Sequence, residues 1–280
     1  MKSGKWLDAA MFPAIPCNLE RLYKHLHGKT ILITGASSGI GKELALLLAD
    51  ADVHLVLTAR REALLTDLQK EIAPKAAKVT VIPADLREDA GLEKVSAGLH
   101  ALPEGLDVMV SNAGLSINRN IFQSLDRPHD FSRTMAINYF APVRLLLSAI
   151  PLLEKNNGHI LNVSTINALM TPMPDWAAYQ ASKAAFDTWL RSAAPELKQR
   201  GISISSVYLP LVRTPMIEPT RNYRNAPALT VNHAAGLIAR TLYTQKRTVR
   251  PWWMLAAGAA SVFVRHAPTS AQGGNAHGRD

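Results

Sequence analysis

What most constrains this chain is its alternation of short, continuously apolar runs with longer stretches of helical period. Thr30–Thr34, Val53–Thr58, Val79–Pro83, Leu106–Ser111, His159–Ser164 and Ile202–Tyr208 read as buried strands. Lys42–Asp50, Arg61–Ala73, Pro142–Leu153 and Tyr179–Gln199 read as helices, with Leu64, Leu65, Leu68 and Ile72 on one stripe of the second. Strands that are apolar on both faces need helices above and below a parallel sheet. The expected fold is therefore α/β: a doubly wound, mostly parallel sheet with helices on both faces. A chain of 280 residues is long enough to bury a large core as a single domain.

Between the first strand and first helix lies Thr34-Gly35-Ala36-Ser37-Ser38-Gly39-Ile40-Gly41. Glycines there permit a tight turn and close backbone approach to a pyrophosphate, with the helix N-terminus offering free N–H groups behind it. The Gly-x-x-x-Gly-x-Gly spacing departs from Gly-x-Gly-x-x-Gly, but its place after the first strand of an alternating pattern points to a dinucleotide site and a Rossmann-type sheet. The end of the second strand, where an NAD site carries Asp or Glu for the ribose 2′-hydroxyl, reads Thr58-Ala59-Arg60-Arg61. A guanidinium pairs with a 2′-phosphate, so Arg60 favours NADPH/NADP+, while Arg61 reads as a solvated charge at the helix start.

Tyr179-Gln180-Ala181-Ser182-Lys183 places a phenol and an ammonium on one helix face. A neighbouring cation lowers a phenol's pKa from its ordinary value near ~10 and makes it a proton donor to a carbonyl under reduction. Together with Ser111-Asn112-Ala113-Gly114 and Asn138, in this order, these motifs resemble the short-chain dehydrogenase/reductase family from about Gly28 to Arg250. The resemblance implies three parts: an extension over residues 1–27, a catalytic domain over 28–250, and an apolar C-terminal segment and tail over 251–280. It implies cofactor contacts from Gly35, Ser37, Ser38, Gly39, Ile40, Gly41, Arg60, Asp85 (to adenine), Asn112, Ala113 and Gly114. It also implies Lys183 on the nicotinamide ribose, Tyr179 as proton donor and Asn138 as support for a water-linked relay to Lys183. The hydroxyl that polarises the carbonyl falls to Thr165 where the family has Ser, with Ser164 as the alternative. The family's Pro-Gly turn reads Pro210-Leu211-Val212-Arg213-Thr214 here, so the loop that brings Pro210, Val212 and Thr214 to the cofactor differs in shape.

Asn112–Pro151 and Tyr208–Thr220 further resemble the bacterial short-chain fatty acyl-CoA reductases, implying hydride transfer to a thioester and release of an aldehyde. A ketone reductase is the alternative, and a non-catalytic dinucleotide-binding protein a third reading. The net charge is +9, and between Pro215 and Arg250 six basic residues face Glu218 alone. Arg221 and Arg224, flanking Tyr223, are candidates for coenzyme A phosphates, with a solvated basic surface as the alternative. No helix-turn-helix, zinc-ligand spacing or stacking aromatic motif accompanies the charge, so nucleic acid is not expected as a partner. The single Cys17 excludes an intramolecular disulfide, and no metal site is expected. Asp8 and Pro13 interrupt any signal-like apolar run, which suggests a cytoplasmic protein. Uncharged Pro251–Val264, with Trp252 and Trp253, reads as a docked or dimer-contact segment, with peripheral membrane contact as the alternative; Met11, Phe12, Ile15 and Leu19 read as a second apolar patch. A homodimer or tetramer is expected from the family resemblance.

Overall fold

The computed structural model describes residues 11–13, 16–217 and 226–254. Seven parallel strands form one sheet in the order β3-β2-β1-β4-β5-β6-β7. These are β1 (Lys29–Thr34), β2 (Val53–Ala59), β3 (Lys78–Pro83), β4 (Val108–Ser111), β5 (His159–Thr165), β6 (Ser203–Leu209) and β7 (Thr248–Val249). The two-residue β7 carries too little pattern to be read from sequence. The helices are α1 (Leu19–Leu26), α2 (Gly39–Leu48), α3 (Glu62–Ile72), α4 (Asp89–His100), α5 (Pro128–Met135), α6 (Ala141–Lys155), α7 (Ala177–Gln199) and α8 (Val231–Thr244). A π-helical turn, Ala136–Phe140, joins α5 to α6.

Alternation along each strand divides the core between two faces. Ile31 and Ile33 join Leu44, Leu48, Ile238 and Leu242 on one side, under α2 and α8. Leu32 joins Leu99, Leu145, Leu153, Phe186 and Leu190 on the other, under α4, α6 and α7. Two details depart from the sequence reading. Leu64 is 40% exposed, so the buried stripe of α3 is Leu65, Leu68 and Ile72. Within the stretch expected to be an extension, α1 is capped by the Asn18 side chain and buries Leu22 and Leu26 completely in the core.

The order of β1 and β4 at the sheet's centre makes their C-terminal ends the topological switch point, where open α/β sheets hold ligands. Helix α2 begins at Gly39, three residues before the apolar period suggests, because the glycine turn itself forms its first turn.

His159 illustrates the cost of burial. It is 2% exposed, its Nε2 pairs with the Ser205 hydroxyl at 2.9 Å, and its Nδ1 has no partner. Desolvation pushes its pKa down to about 4. Because the folded value lies below the ordinary 6.5, the unfolded chain takes up a proton first as pH falls. We therefore expect unfolding free energy to drop by about 2 kcal/mol between pH 7 and pH 5 on this account. In urea titrations at the two pH values, His159→Gln is expected to remove that part of the drop.

Candidate active site

The phosphate loop is built on close backbone approach. Gly35 and Gly39 hold φ of +70° and +55°, a region that side chains other than glycine rarely adopt. A Cβ at Gly41 would lie 2.5 Å from the Gly35 carbonyl oxygen and 2.7 Å from Asn112 Nδ2. Asn112 Nδ2 donates to the Thr34 carbonyl at 2.9 Å, and the Thr34 hydroxyl accepts from the backbone N–H groups of Asn112 and Ala113 at 2.9 and 3.0 Å. These bonds tie the tip of β1 to the tip of β4. Ser38 occupies the N-cap of α2 without a side-chain cap bond, leaving the first-turn N–H groups for a ligand. The loop fits a bridging diphosphate.

Beside it the arginines are arranged differently from the sequence expectation. Arg61, expected to be solvated, donates through Nη2 to the hydroxyls of Ser37 and Ser38 at 3.0 and 2.6 Å. Arg60 extends outward, its side chain 61% exposed, and lies 3.9 Å from Asp85. The Asp85 carboxylate is held by Arg87, whose Nε donates at 3.0 and 3.2 Å to its two oxygens. Arg87's hydrogen bonds hold the Asp85 carboxyl below its ordinary range, against the effect of burial. Asp85 lines the cleft wall, but both its oxygens are engaged by Arg87. Arg87 and Arg61 were not read as site residues, though Asp85-Leu86-Arg87 contained the signal of an acid with a base two positions on.

At the other end, Thr165 closes β5, and α7 presents Tyr179 and Lys183. The Thr165 side chain lies beside the Tyr179 phenol and favours its ionised form. Ser164 is buried with its hydroxyl unpartnered. Burial pushes the Tyr179 phenol up to about 12, opposed by Thr165, and pulls the Lys183 ammonium down to about 8. Desolvation thus sets the direction of the tyrosine shift, and the phenol keeps its proton at neutral pH. Lys183 Nζ donates to the Val163 carbonyl at 3.4 Å.

Asn138 sits in the π-helical turn, 1% exposed. Its Oδ1 accepts from Leu115 N–H at 2.9 Å, and its Nδ2 donates to the Leu115 carbonyl at 2.8 Å and to Ser182 Oγ at 2.9 Å. It thereby ties the segment following Gly114 to α7. Gln180, which seemed a spacer in the Tyr-x-x-x-Lys pattern, has a similar role. Its amide donates to the carbonyls of Asn167, Met170 and Thr171 and accepts from Met173 N–H, fixing the segment after Thr165.

Both ends open into one cavity of about 740 Å³. Gly35, Ser37, Ser38, Gly39, Ile40, Arg60, Asp85, Asn112, Ala113 and Gly114 line one part, and Thr165, Tyr179 and Lys183 another; Gly41 and Asn138 support its walls from behind. Pro210, Val212 and Thr214 also line it, and Thr214 Cγ2 lies within 3.2 Å of where a Gly39 Cβ would be, so the shortened turn seats against the phosphate loop. Apolar lining comes from Met173, Trp176, Leu211, Met216, Ile217 and Pro227, and from Phe12 and Trp253, whose rings lie 6.4 Å apart. Ile15, Arg221, Tyr223, Arg224 and the segment beyond Met254 lie outside the described residues.

A sheet of this order, with a glycine-rich loop at its switch point and a tyrosine–lysine pair in the same cavity, defines a dinucleotide-dependent oxidoreductase fold. A family model for short chain dehydrogenases matches residues 29–225, and the chain belongs to that family. It is 40% identical over 233 residues to a fatty acyl-CoA reductase of Acinetobacter baylyi, covering 82% of this chain and 79% of that protein. A fatty acyl-CoA reductase of Mycobacterium tuberculosis is 37% identical over 227 residues, covering 81% and 77%. The fold is shared with a short-chain dehydrogenase from Sphingobium yanoikuyae, solved in complex with NADPH, with a TM-score of 0.73 over 89% of this chain and 99% of that one at 24% identity.

The glycine geometry generates a paired prediction. Gly41→Ala drives a Cβ into backbone and is expected to lower unfolding free energy by about 1–3 kcal/mol. Gly236→Ala, inside α8 with nothing within 4 Å of the new Cβ, is expected to raise it by about 0.5–1 kcal/mol. Urea denaturation of the two variants measures both.

Proposed function

We propose that the protein is an NADPH-dependent reductase that converts a fatty acyl thioester to an aldehyde. The observation that carries this reading is the Tyr179–Thr165 hydroxyl pair, set in one cavity between a phosphate-binding loop and apolar walls. When bound, NADPH supplies the hydride that forms the new C–H bond at the acyl carbon. Thr165 and Tyr179 direct their hydroxyls at the carbonyl oxygen and stabilise the charge that develops there. Tyr179 gives the oxygen a proton; as the C–S bond breaks and the carbonyl re-forms, a proton passes to the departing thiolate. Lys183 holds the nicotinamide ribose, and its charge supports proton release from Tyr179. Asn138 and Gln180 keep these groups in place. Apolar side chains such as Met173, Leu211 and Met216 along the cavity suit an alkyl chain.

Arg61, Ser37 and Ser38 form the receptor for the cofactor's 2′-phosphate, with Arg60 at its outer edge. Arg87 holds Asp85 as a neutral pair, so that carboxylate does not repel the phosphate. The relatives named for fatty acyl-CoA reduction support the thioester as substrate. Phe140 and Leu147, both more than half exposed, give the π turn and α6 an apolar outer face, which supports a dimer or tetramer. The same reading places the enzyme in the cytoplasm, and exposed Trp252 leaves room for peripheral lipid contact.

Two measurements test the proposal. Arg61→Ala is expected to reduce the NADPH-to-NADH ratio of kcat/KM by about 10–100-fold, as loss of one charge-assisted pair implies, and Arg60→Ala by less. An unchanged ratio in both variants contradicts the cofactor assignment. NADPH oxidation against a chain-length series of acyl-CoA thioesters and matched ketones, with aldehyde detection, is expected to show thioester-dependent aldehyde formation. Tyr179→Phe is expected to abolish that turnover while leaving NADPH affinity within about twofold, since the phenol acts on the substrate. Turnover of ketones alone assigns the enzyme to secondary alcohols instead.

A further inference from the structure

A second cationic cluster is centred on α5 and shares no ion pair with the phosphate loop among the described residues. Asp130, on α5, is buried with its side chain 3% exposed. Arg119 and Arg127 both donate through Nε to its Oδ2, at 3.1 and 3.0 Å. Its other oxygen faces His129 Nε2 at 3.5 Å and Arg133 Nη1 at 3.7 Å. Three guanidinium groups therefore surround one carboxylate. Asp126 and Asp175, the other acids of these segments, form no ion pair with them among the described residues; Asp175 instead accepts from Asn120. The Arg127 and Arg119 charges hold the Asp130 carboxyl low despite its burial, so the group stays ionised and the cluster's excess positive charge persists across neutral pH.

Arg133 differs from the other two arginines. At 3.7 Å it lies beyond hydrogen-bond distance of Asp130, its side chain is 45% exposed, and it lines the same cavity as Tyr179 and Thr165. Ile137, one turn further on the same helix face, lines that cavity too. Arg119 and Arg127 thus satisfy the buried carboxylate, and Arg133 keeps guanidinium donors for a ligand in the cleft. The cofactor's phosphates have their own receptor at Ser37, Ser38 and Arg61.

We infer that Arg133, backed by Arg119 and Arg127, is a phosphate-binding site that takes the coenzyme A part of the thioester. The inference rests on the proposed thioester reductase activity, and it assigns carrier recognition to α5. A guanidinium is suited to this task because it pairs with a phosphate through two parallel N–H groups. Carrier binding at a distance from the reacting carbon then shows in KM and leaves kcat unaffected.

The test compares one acyl group on two carriers. In Arg133→Ala, KM for the acyl-CoA is expected to rise about tenfold or more with kcat unchanged, as loss of a charged phosphate contact implies. KM for the same acyl group on N-acetylcysteamine, which has no phosphate, is expected to stay within about twofold, and Arg133→Lys to restore part of the acyl-CoA affinity. Equal changes for both carriers, or none for either, overturn the inference. A direct measurement separates its failure from failure of the reductase reading. Adenosine 3′,5′-bisphosphate is titrated calorimetrically into enzyme saturated with NADP+, so that the 2′-phosphate receptor is filled. Binding that is lost in Arg133→Ala supports the site even where no thioester is reduced, whereas absent or unaltered binding overturns it.

Discussion

The joint between β1 and β4 is the constraint on which the rest of this structure depends. The Thr34 hydroxyl and the Asn112 amide exchange hydrogen bonds with backbone across the gap, drawing Gly35 against Ala113. Only glycine fits at position 41 once that approach is made, since a Cβ there meets both the Gly35 carbonyl and the Asn112 amide. The strand order changes direction at the same joint, so the crevice it opens is bounded by the start of α2 and by the segment after β4. A residue that seemed to be a cofactor contact, Asn112, is thus also the fastener that shapes the phosphate loop.

The catalytic end is organised by burial. Lys183 is buried and Tyr179 partly so, and burial moves each toward its uncharged form. For the tyrosine this preserves the proton that a reduction consumes. For the lysine it is a cost that must be met by neighbours, and the structure supplies a firm frame. Asn138 fastens α7 to the chain after Gly114, and Gln180 fastens α7 to the segment after Thr165. The π-helical turn that carries Asn138 places its amide within reach of both partners. Thr165 keeps the hydroxyl its position requires, and it accepts a bond from Asn167 N–H at 3.3 Å that restrains the β-branched side chain.

How far all this was legible in the sequence follows from the range of the forces concerned. The strands were readable because each is a local apolar run, and the glycine loop because φ and close approach leave a local signature. Tyr179, Lys183, Thr165 and Asn138 were readable through the family resemblance, and the cavity brings the first three together with Asn138 directly behind. The direction of the tyrosine shift was not readable, because desolvation depends on packing from elements distant in the chain. The assignment of Arg61 over Arg60 to the serine hydroxyls depends on which way two adjacent side chains point as β2 passes into α3, where Arg61 is the extended N-cap residue. Helix α1 does carry a local signal, Leu19, Leu22, Tyr23 and Leu26 at helical spacing behind the Asn18 cap, although residues 1–27 read only as an extension.

Arg87 and Arg133 share a further reason for having been overlooked: each is defined by a carboxylate that recruits it. Asp85 gathers Arg87 and, more distantly, Arg60; Asp130 gathers Arg119, Arg127 and Arg133. In each case a partly or fully buried acid holds the nearest guanidinium by hydrogen bonds and leaves a further arginine at 3.7–3.9 Å with its side chain 45–61% exposed. Burying a carboxylate is unfavourable unless it is paired, so the acid fixes the first arginines in place. The next arginine is then oriented but not consumed, and its donors remain available to an anion. Arg60, Arg61 and Arg87 from one group of segments and Arg133 from α5 thereby line a single cavity, which gives its wall a positive character built on two paired carboxylates.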